Sequence, residues 1–180
     1  MEEIIMKKIL ALTLAAMLAA AALTGCTGGN GNSENKDQID VGKVSGVTLK
    51  SEATEEESRA ALGNVEIAIT DAKVVEYNGE DVAIVEFTYK NNGESEAPFT
   101  GVVKDTASQD EHTLTPTVID NVDGVDMLAL TENVAPGHQI SVQKAYRLRD
   151  KTNDLVVEVR QIETNGNAAP KFVTKTFSFN

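Results

Sequence analysis

Ser108, Asp110 and His112 place a hydroxyl, a carboxylate and an imidazole within one short stretch, on paper the members of a hydrolytic triad. No G-x-S-x-G elbow surrounds Ser108, and neighbours in a short polar loop rarely converge in triad geometry, so a turn between strands is the expected role. Asp120, Asp123 and Asp126, with Asn121 and Gly124 among them, supply loop carboxylates of the kind a hard cation such as calcium takes. They lack the alternating positions and distal Glu of an EF-hand loop, so these aspartates are expected to be solvated and no metal is expected. His112 and His138 are the only histidines and Cys26 the only cysteine, too few for a zinc centre without carboxylates completing it. No glycine-rich phosphate loop follows a strand and opens a helix, and no cofactor is expected. Arg147 and Arg149 are the remaining candidates. Alternation puts both on the face opposite Tyr146 and Leu148, where two guanidinium groups could grip a carboxylate or phosphate. Cross-strand pairing with Glu158 or Asp154 is the competing, structural role and the expected one.

The chemistry carried by Cys26 is different in kind. Lys7 and Lys8 precede Ile9 to Ala22, an uncharged apolar run shorter than the ~20 residues that span a bilayer. It suits the apolar segment of a secretory signal behind a positive start. Glu2 and Glu3 weaken that start, and Met6 is an alternative initiation site. Leu23-Thr24-Gly25-Cys26 then resembles the lipobox of bacterial lipoproteins. The resemblance implies diacylglyceryl transfer to the Cys26 thiol, cleavage before it, and anchoring outside the cytoplasmic membrane. Residues 1–25 are therefore expected to be a signal peptide. A lone cysteine closes no internal disulfide.

Elements that would carry a site begin beyond a tether. Residues 26–63 open with Gly28, Gly29, Asn30, Gly31, Asn32 and Ser33, a polar tract with nothing to bury. As a coil this tether has an r.m.s. reach of roughly 30–40 Å. Val41, Val44, Val47 and Leu49 could lay one short strand on the domain edge. Thr54-Glu55-Glu56-Glu57 reads as a capping box with Gly63 as a C-cap, but so short a helix is marginal in water and a solvated acidic stretch is expected. The net charge is −12, and since Glu2, Glu3, Lys7 and Lys8 cancel, the chain from Cys26 keeps it. Such a balance excludes nucleic acid, whose phosphates need Lys and Arg, and is repelled by anionic lipid headgroups.

Residues 64–180 alternate with period two, the pattern of half-buried strands. Val65, Ile67 and Ile69 run into a phase slip near Asp71-Ala72, predicting a bulge. Asn78-Gly79 predicts a hairpin turn and Pro136-Gly137 a type II turn. Ala83 to Tyr89, a short stretch over Phe99 to Val103, Leu114 to Ile119 with Pro116 marking an edge, Ile140 to Leu148 interrupted by Lys144, and Leu155 to Val159 are the further strands expected, and Phe172, Phe177 and Phe179 close the chain. Asp120 to Val134 reads as a long crossing connection. About seven strands without an internal helix describe an all-β, immunoglobulin-like antiparallel sandwich.

The stretch Val82 to Asn92 (VAIVEFTYKNN), Val134-Ala135-Pro136-Gly137 and Ala145-Tyr146-Arg147-Leu148 together resemble an uncharacterised family of immunoglobulin-like lipoprotein ectodomains of Gram-positive bacteria. These pieces are turns and core positions, so the resemblance implies a fold and a compartment and no chemistry. The function expected is a non-enzymatic binding module at the cell envelope, with an unknown protein or envelope component as partner. The alternative is a ligand- or ion-binding lipoprotein serving a transporter through the Asp120 to Val134 connection.

Overall fold

The structure, a computed structural model, describes residues 46–162 and 171–179. The expected signal peptide and lipobox, with Cys26, lie outside the described residues. Among the described residues ten strands form two antiparallel sheets. They are β1 (Val47–Thr48), β2 (Arg59–Leu62), β3 (Val65–Tyr77), β4 (Glu80–Asn91), β5 (Val103–Gln109), β6 (His112–Thr113), β7 (Pro116–Thr117), β8 (Gln139–Arg147), β9 (Leu155–Gln161) and β10 (Phe172–Phe177). One sheet runs β1-β3-β4-β8-β7, with β2 also on β3; the other runs β10-β9-β5-β6. The expected all-β sandwich is the observed architecture.

Alternation decides which side chains meet between the sheets. Ile67, Ile69, Val85, Phe87, Tyr89, Val142, Leu155, Val157 and Val159 are buried there. Burying a side chain of this size contributes about 1.5–3 kcal/mol. The phase slip is a real register shift between Ile69 and Asp71. Beyond it Ala72 and Val74 face the core, while Lys73, Val75 and Tyr77 turn to the outer face. The ammonium of Lys175 on β10 donates to the carbonyls of Ile69 (3.2 Å) and Thr70 (2.8 Å) at the bulge. Asn78 (φ 54°) and Gly79 (φ 78°) make the two-residue turn into β4.

Four expectations are corrected. The tether does not extend to Gly63: β1 and β2 both pair with β3, and Leu49, Ser58 and Leu62 are buried. The capping box at Thr54 does form, its backbone N–H and hydroxyl donating to Glu57 Oε2 at 2.9 and 2.8 Å. Only one turn follows, because Arg59 to Leu62 gain a full ladder on β3. Phe99 to Val103 is not a strand: Phe99–Val102 is a single helical turn (α1) behind Pro98. It drops Phe99 onto Phe87 (centroids 5.3 Å) and edge-on to Tyr89 (6.0 Å). Leu114 to Ile119 is not one strand either. The chain leaves β6 in one sheet and joins β7 in the other, and Pro116 stands on an edge strand as expected.

Besides Lys175, two further polar links tie the sheets. On one side Lys50 and Ser178 exchange backbone hydrogen bonds (3.1 and 2.7 Å). On the other, Lys144, the residue that interrupts the apolar face of β8, meets Asp105 of β5 at 2.7 Å, and the Tyr146 hydroxyl donates to the same carboxylate. Burial, first, and then the Asp105 charge hold the Tyr146 phenol well above its ordinary pKa. The Ala135-to-His138 turn has Gly137 at φ 78°, as type II geometry requires.

Candidate functional site

The outer face of the first sheet is half covered by its own connection. After β7 the chain crosses onto that face, where Ile119 and Val122 pack on Val75, Val82, Ile84 and Ala145. The turn reverses at Asn121 (φ 54°) and Gly124 (φ 70°), closed by a Val125 N–H to Val122 carbonyl bond of 3.1 Å. The Tyr77 hydroxyl donates to Asp120 Oδ1 at 2.6 Å and pins the outward limb. Gln143 Oε1 accepts from the Asp126 N–H at 2.9 Å and pins the returning one. The limbs meet where the Ile119 N–H points at Met127 Sδ, 3.4 Å away. Ala129 and Leu130, in the 3₁₀ turn Leu128–Thr131, then enter the main core. Residues 118–128 are thus a compact Ω-loop, whose ends are close and whose interior is filled by its own side chains. The expected crossing connection crosses a sheet face and returns to the same sheet, because its apolar residues find an uncovered apolar strip there.

Beside this loop lies a polar hollow of about 180 Å³ lined by Asp71, Lys73, Ile84, Glu86, Gly124 and Gln143. A more open one of about 370 Å³ adjoins it through Gly124 and Gln143 and reaches Asp126 and Ser141. Register puts Asp71 directly opposite Glu86, and Glu86 opposite Gln143. Like charges so placed repel. Glu86 is held by the Ser141 hydroxyl (2.8 Å) and the Gln143 amide (3.4 Å), while Asp71 Oδ1 accepts from the Ala72 N–H at the bulge (2.8 Å).

The three aspartates singled out by sequence are not brought together. Asp120 serves Tyr77, Asp126 Oδ1 caps the Leu128 N–H (2.9 Å), and Asp123 is exposed at the tip. Among the described residues no group of three His, Cys, Asp or Glu side chains is placed to hold a metal ion.

The hydrolytic arrangement also comes apart. Ser108 lies on β5 opposite Thr113, not in a loop, and Gln109 is opposite His112, so alternation turns Ser108 and His112 to different faces. The His112 ring bonds the Asp110 carbonyl (Nδ1 to O 2.6 Å), not its carboxylate. Asp110 and Glu111, both at positive φ, make a tight turn there that no Asn-Gly signal announces.

Arg147 and Arg149 are both exposed, as alternation predicts. The partner of Arg147 is Glu80 (Nε to Oε2 2.9 Å), not Glu158 or Asp154. Glu158 pairs with Arg160 on its own strand instead. Near Arg149, the fully buried Gln109 organises the β8–β9 turn. Its Nε2 donates to the carbonyls of Asp150 (3.1 Å) and Asn153 (2.8 Å), and its Oε1 accepts from the Arg149 N–H (2.8 Å). Backbone N–H donors of Asn153 and Thr152 hold the Asp150 carboxyl well below the usual range.

The profile of the family described as Domain of unknown function (DUF5067) matches residues 42–161. The chain belongs to this family. The DUF5067 match begins ahead of β1, in keeping with the two early strands of the sheet. No curated protein matches the chain. Two solved structures share the fold. A Staphylococcus aureus protein provisionally described as a lipoprotein superposes with a TM-score of 0.50 at 9% identity, over 73% of this chain and 93% of its own. A functionally unknown protein from Listeria monocytogenes superposes with a TM-score of 0.54 at 13% identity, over 76% and 88%. No helix among the described residues is long and apolar enough to cross a membrane.

Proposed function

We propose that this DUF5067 protein is a lipoprotein anchored through Cys26 on the outer side of the cytoplasmic membrane, and that its immunoglobulin-like sandwich is a non-enzymatic binding module. The observation that carries the reading is the order of the chain. Lys7-Lys8, the apolar run Ile9 to Ala22 and Leu23-Thr24-Gly25-Cys26 stand directly ahead of a polar segment and then the sheet domain. Acyl chains hold a domain with about 0.8 kcal/mol per buried CH₂, so more than one chain gives a stable anchor. The description of the staphylococcal structure as a provisional lipoprotein agrees with this compartment. Binding is favoured over catalysis because His112 engages a backbone carbonyl and Ser108 faces away from it.

The test is Cys26→Ala in cells fed labelled palmitate. The expected result is an unprocessed, unlabelled precursor. Unchanged processing and labelling would remove the anchor from the reading. A second reading, delivery of a small polar ligand to a transporter, is favoured by the hollow between Lys73 and Glu86. A thermal-shift screen of amino acids, short peptides and divalent cations tests it, and no stabilisation at millimolar concentration would dismiss it.

A further inference from the structure

The Ω-loop buries Ile119 and Val122 yet leaves Val118 and Leu128 exposed by 79% and 82%. These two flank the point where the limbs meet at the Ile119 N–H and Met127 Sδ. Single exposed aliphatics are ordinary on any surface. Leu128, though, is held out. Its N–H is capped by Asp126 Oδ1 (2.9 Å) and its carbonyl accepts from the Thr131 hydroxyl (3.1 Å) in a 3₁₀ turn whose next two residues are buried in the core. Presentation on a fixed turn removes most of the ordering cost that a mobile loop would impose on binding.

Charge says what fits there. From Val118 to Val134 the chain carries Asp120, Asp123, Asp126 and Glu132 and no Lys, Arg or His. Where the adjoining strands bring Lys73 beside Gly124 they bring Asp71 and Glu86 to the same hollow, so the balance stays acidic. A surface with apolar centre and acidic rim is complementary to an apolar side chain ringed by Lys or Arg. Position narrows the partner further. A Cβ on Gly46, where the chain from Cys26 enters the described domain, would lie 3.4 Å from the Lys73 and Val75 side chains, and one on Gly124 would lie 3.9 Å from Lys73 Nζ. The lipid-linked end of the chain therefore joins on the same outer face as the loop.

We propose that Val118 and Leu128, with the carboxylates around them, dock a membrane-resident protein through a basic extracytoplasmic segment bearing an exposed apolar side chain. This rests on the lipid-anchored binding module described above and gives its partner a chemistry. An anionic lipid surface would be repelled by the same rim.

The test uses the full-length protein in intact cells, with the photoreactive residue p-benzoylphenylalanine replacing Val118 or Leu128, or Arg160 or Thr176 on the outer face of the second sheet. The expected result is an adduct from positions 118 and 128 whose cross-linked partner peptide carries Lys or Arg beside an apolar residue. Its yield should fall about tenfold with Asp123→Lys and Glu132→Lys, both exposed positions that leave the fold intact. Adducts from 160 or 176 only would overturn the surface and leave the binding module standing. An adduct at 128 to a neutral or acidic peptide, or one unmoved by the two charge reversals, would overturn the charge argument. Absence of adducts from all four positions would overturn the binding module itself.

Discussion

Replacing Asp105 by Ala isolates the link between the sheets. The Asp105 side chain is 5% exposed and accepts from both Lys144 Nζ and the Tyr146 hydroxyl, so its removal strands two donors at once. Breaking one side of a buried ion pair costs about 3–5 kcal/mol. Lys144 retains 20% exposure and can reach water, which places its share below that range. An orphaned buried hydroxyl costs about 1–3 kcal/mol. The expected loss is about 3 kcal/mol for Asp105→Ala. With a urea slope of about 1.5 kcal/mol/M, the midpoint falls by about 2 M. Far-UV circular dichroism on the chain from Thr27 onward measures it, since the protein has no Trp. The decisive comparison is the triple variant Asp105→Leu, Lys144→Met, Tyr146→Phe. If the loss arises from stranded polar groups, removing all three together should return the stability to within about 1 kcal/mol of the parent. A triple variant as unstable as Asp105→Ala, or a single variant within 0.5 kcal/mol of the parent (about the scatter of surface substitutions), would refute the reasoning.

The same cluster sets an alkaline limit. The folded phenol of Tyr146 keeps its proton above the ordinary value of 10.0, so the unfolded chain releases it first and stability falls as pH rises past 10, by at most about 1.4 kcal/mol per pH unit. Urea midpoints at pH 9 and 11 should show a fall, and Tyr146→Phe should reduce it without abolishing it, since Tyr89 and Tyr77 are raised as well. Asn91 is buried and binds the carbonyls of Ser95 and Val134 (both 2.8 Å) and the Gly93 N–H (2.9 Å), so Asn91→Ala should cost about 2–4 kcal/mol in the same assay. Ile119→Ala should free the Ω-loop while the main core holds. Hydrogen exchange should then rise across 118–127 with β4 still protected.

Much of the framework was legible because it is local. Period-two alternation over Val65 to Ile69 and Ala83 to Tyr89 records which side of a pleat is buried, the slip at Asp71 records the bulge, and Asn78-Gly79 and Pro136-Gly137 carry the φ > 0 positions their turns need. The proposed lipid anchor rests on a short linear motif too, Leu23 to Cys26, which lies outside the described residues. Lys144 was visible as an interruption of an apolar face, but its partner Asp105 was not, since the two are brought together only by stacking the sheets.

Contacts between distant segments decided the rest. Arg59 to Leu62 has the local signals of a helix, yet the open edge of β3 offers it a ladder, and tertiary pairing outweighs a weak propensity. Phe99 alternates like a strand residue and is instead delivered by a helical turn, because the core space beside Phe87 and Tyr89 needs its ring there. Nothing in the spacing of Gln109 marks it as the organiser of a turn 40 residues away. Asp120, Asp123 and Asp126 read as a cluster along the chain, and the apolar strip of Val75, Val82 and Ile84 spreads them out by drawing Ile119 and Val122 onto the sheet. The amino-acid sequence by itself determined the class of fold and most turns, since each depends on residues a few positions apart. Only the tertiary structure decided where the sandwich begins and which residues form an exposed surface, because those depend on which faces remain to be covered once the sheets have packed.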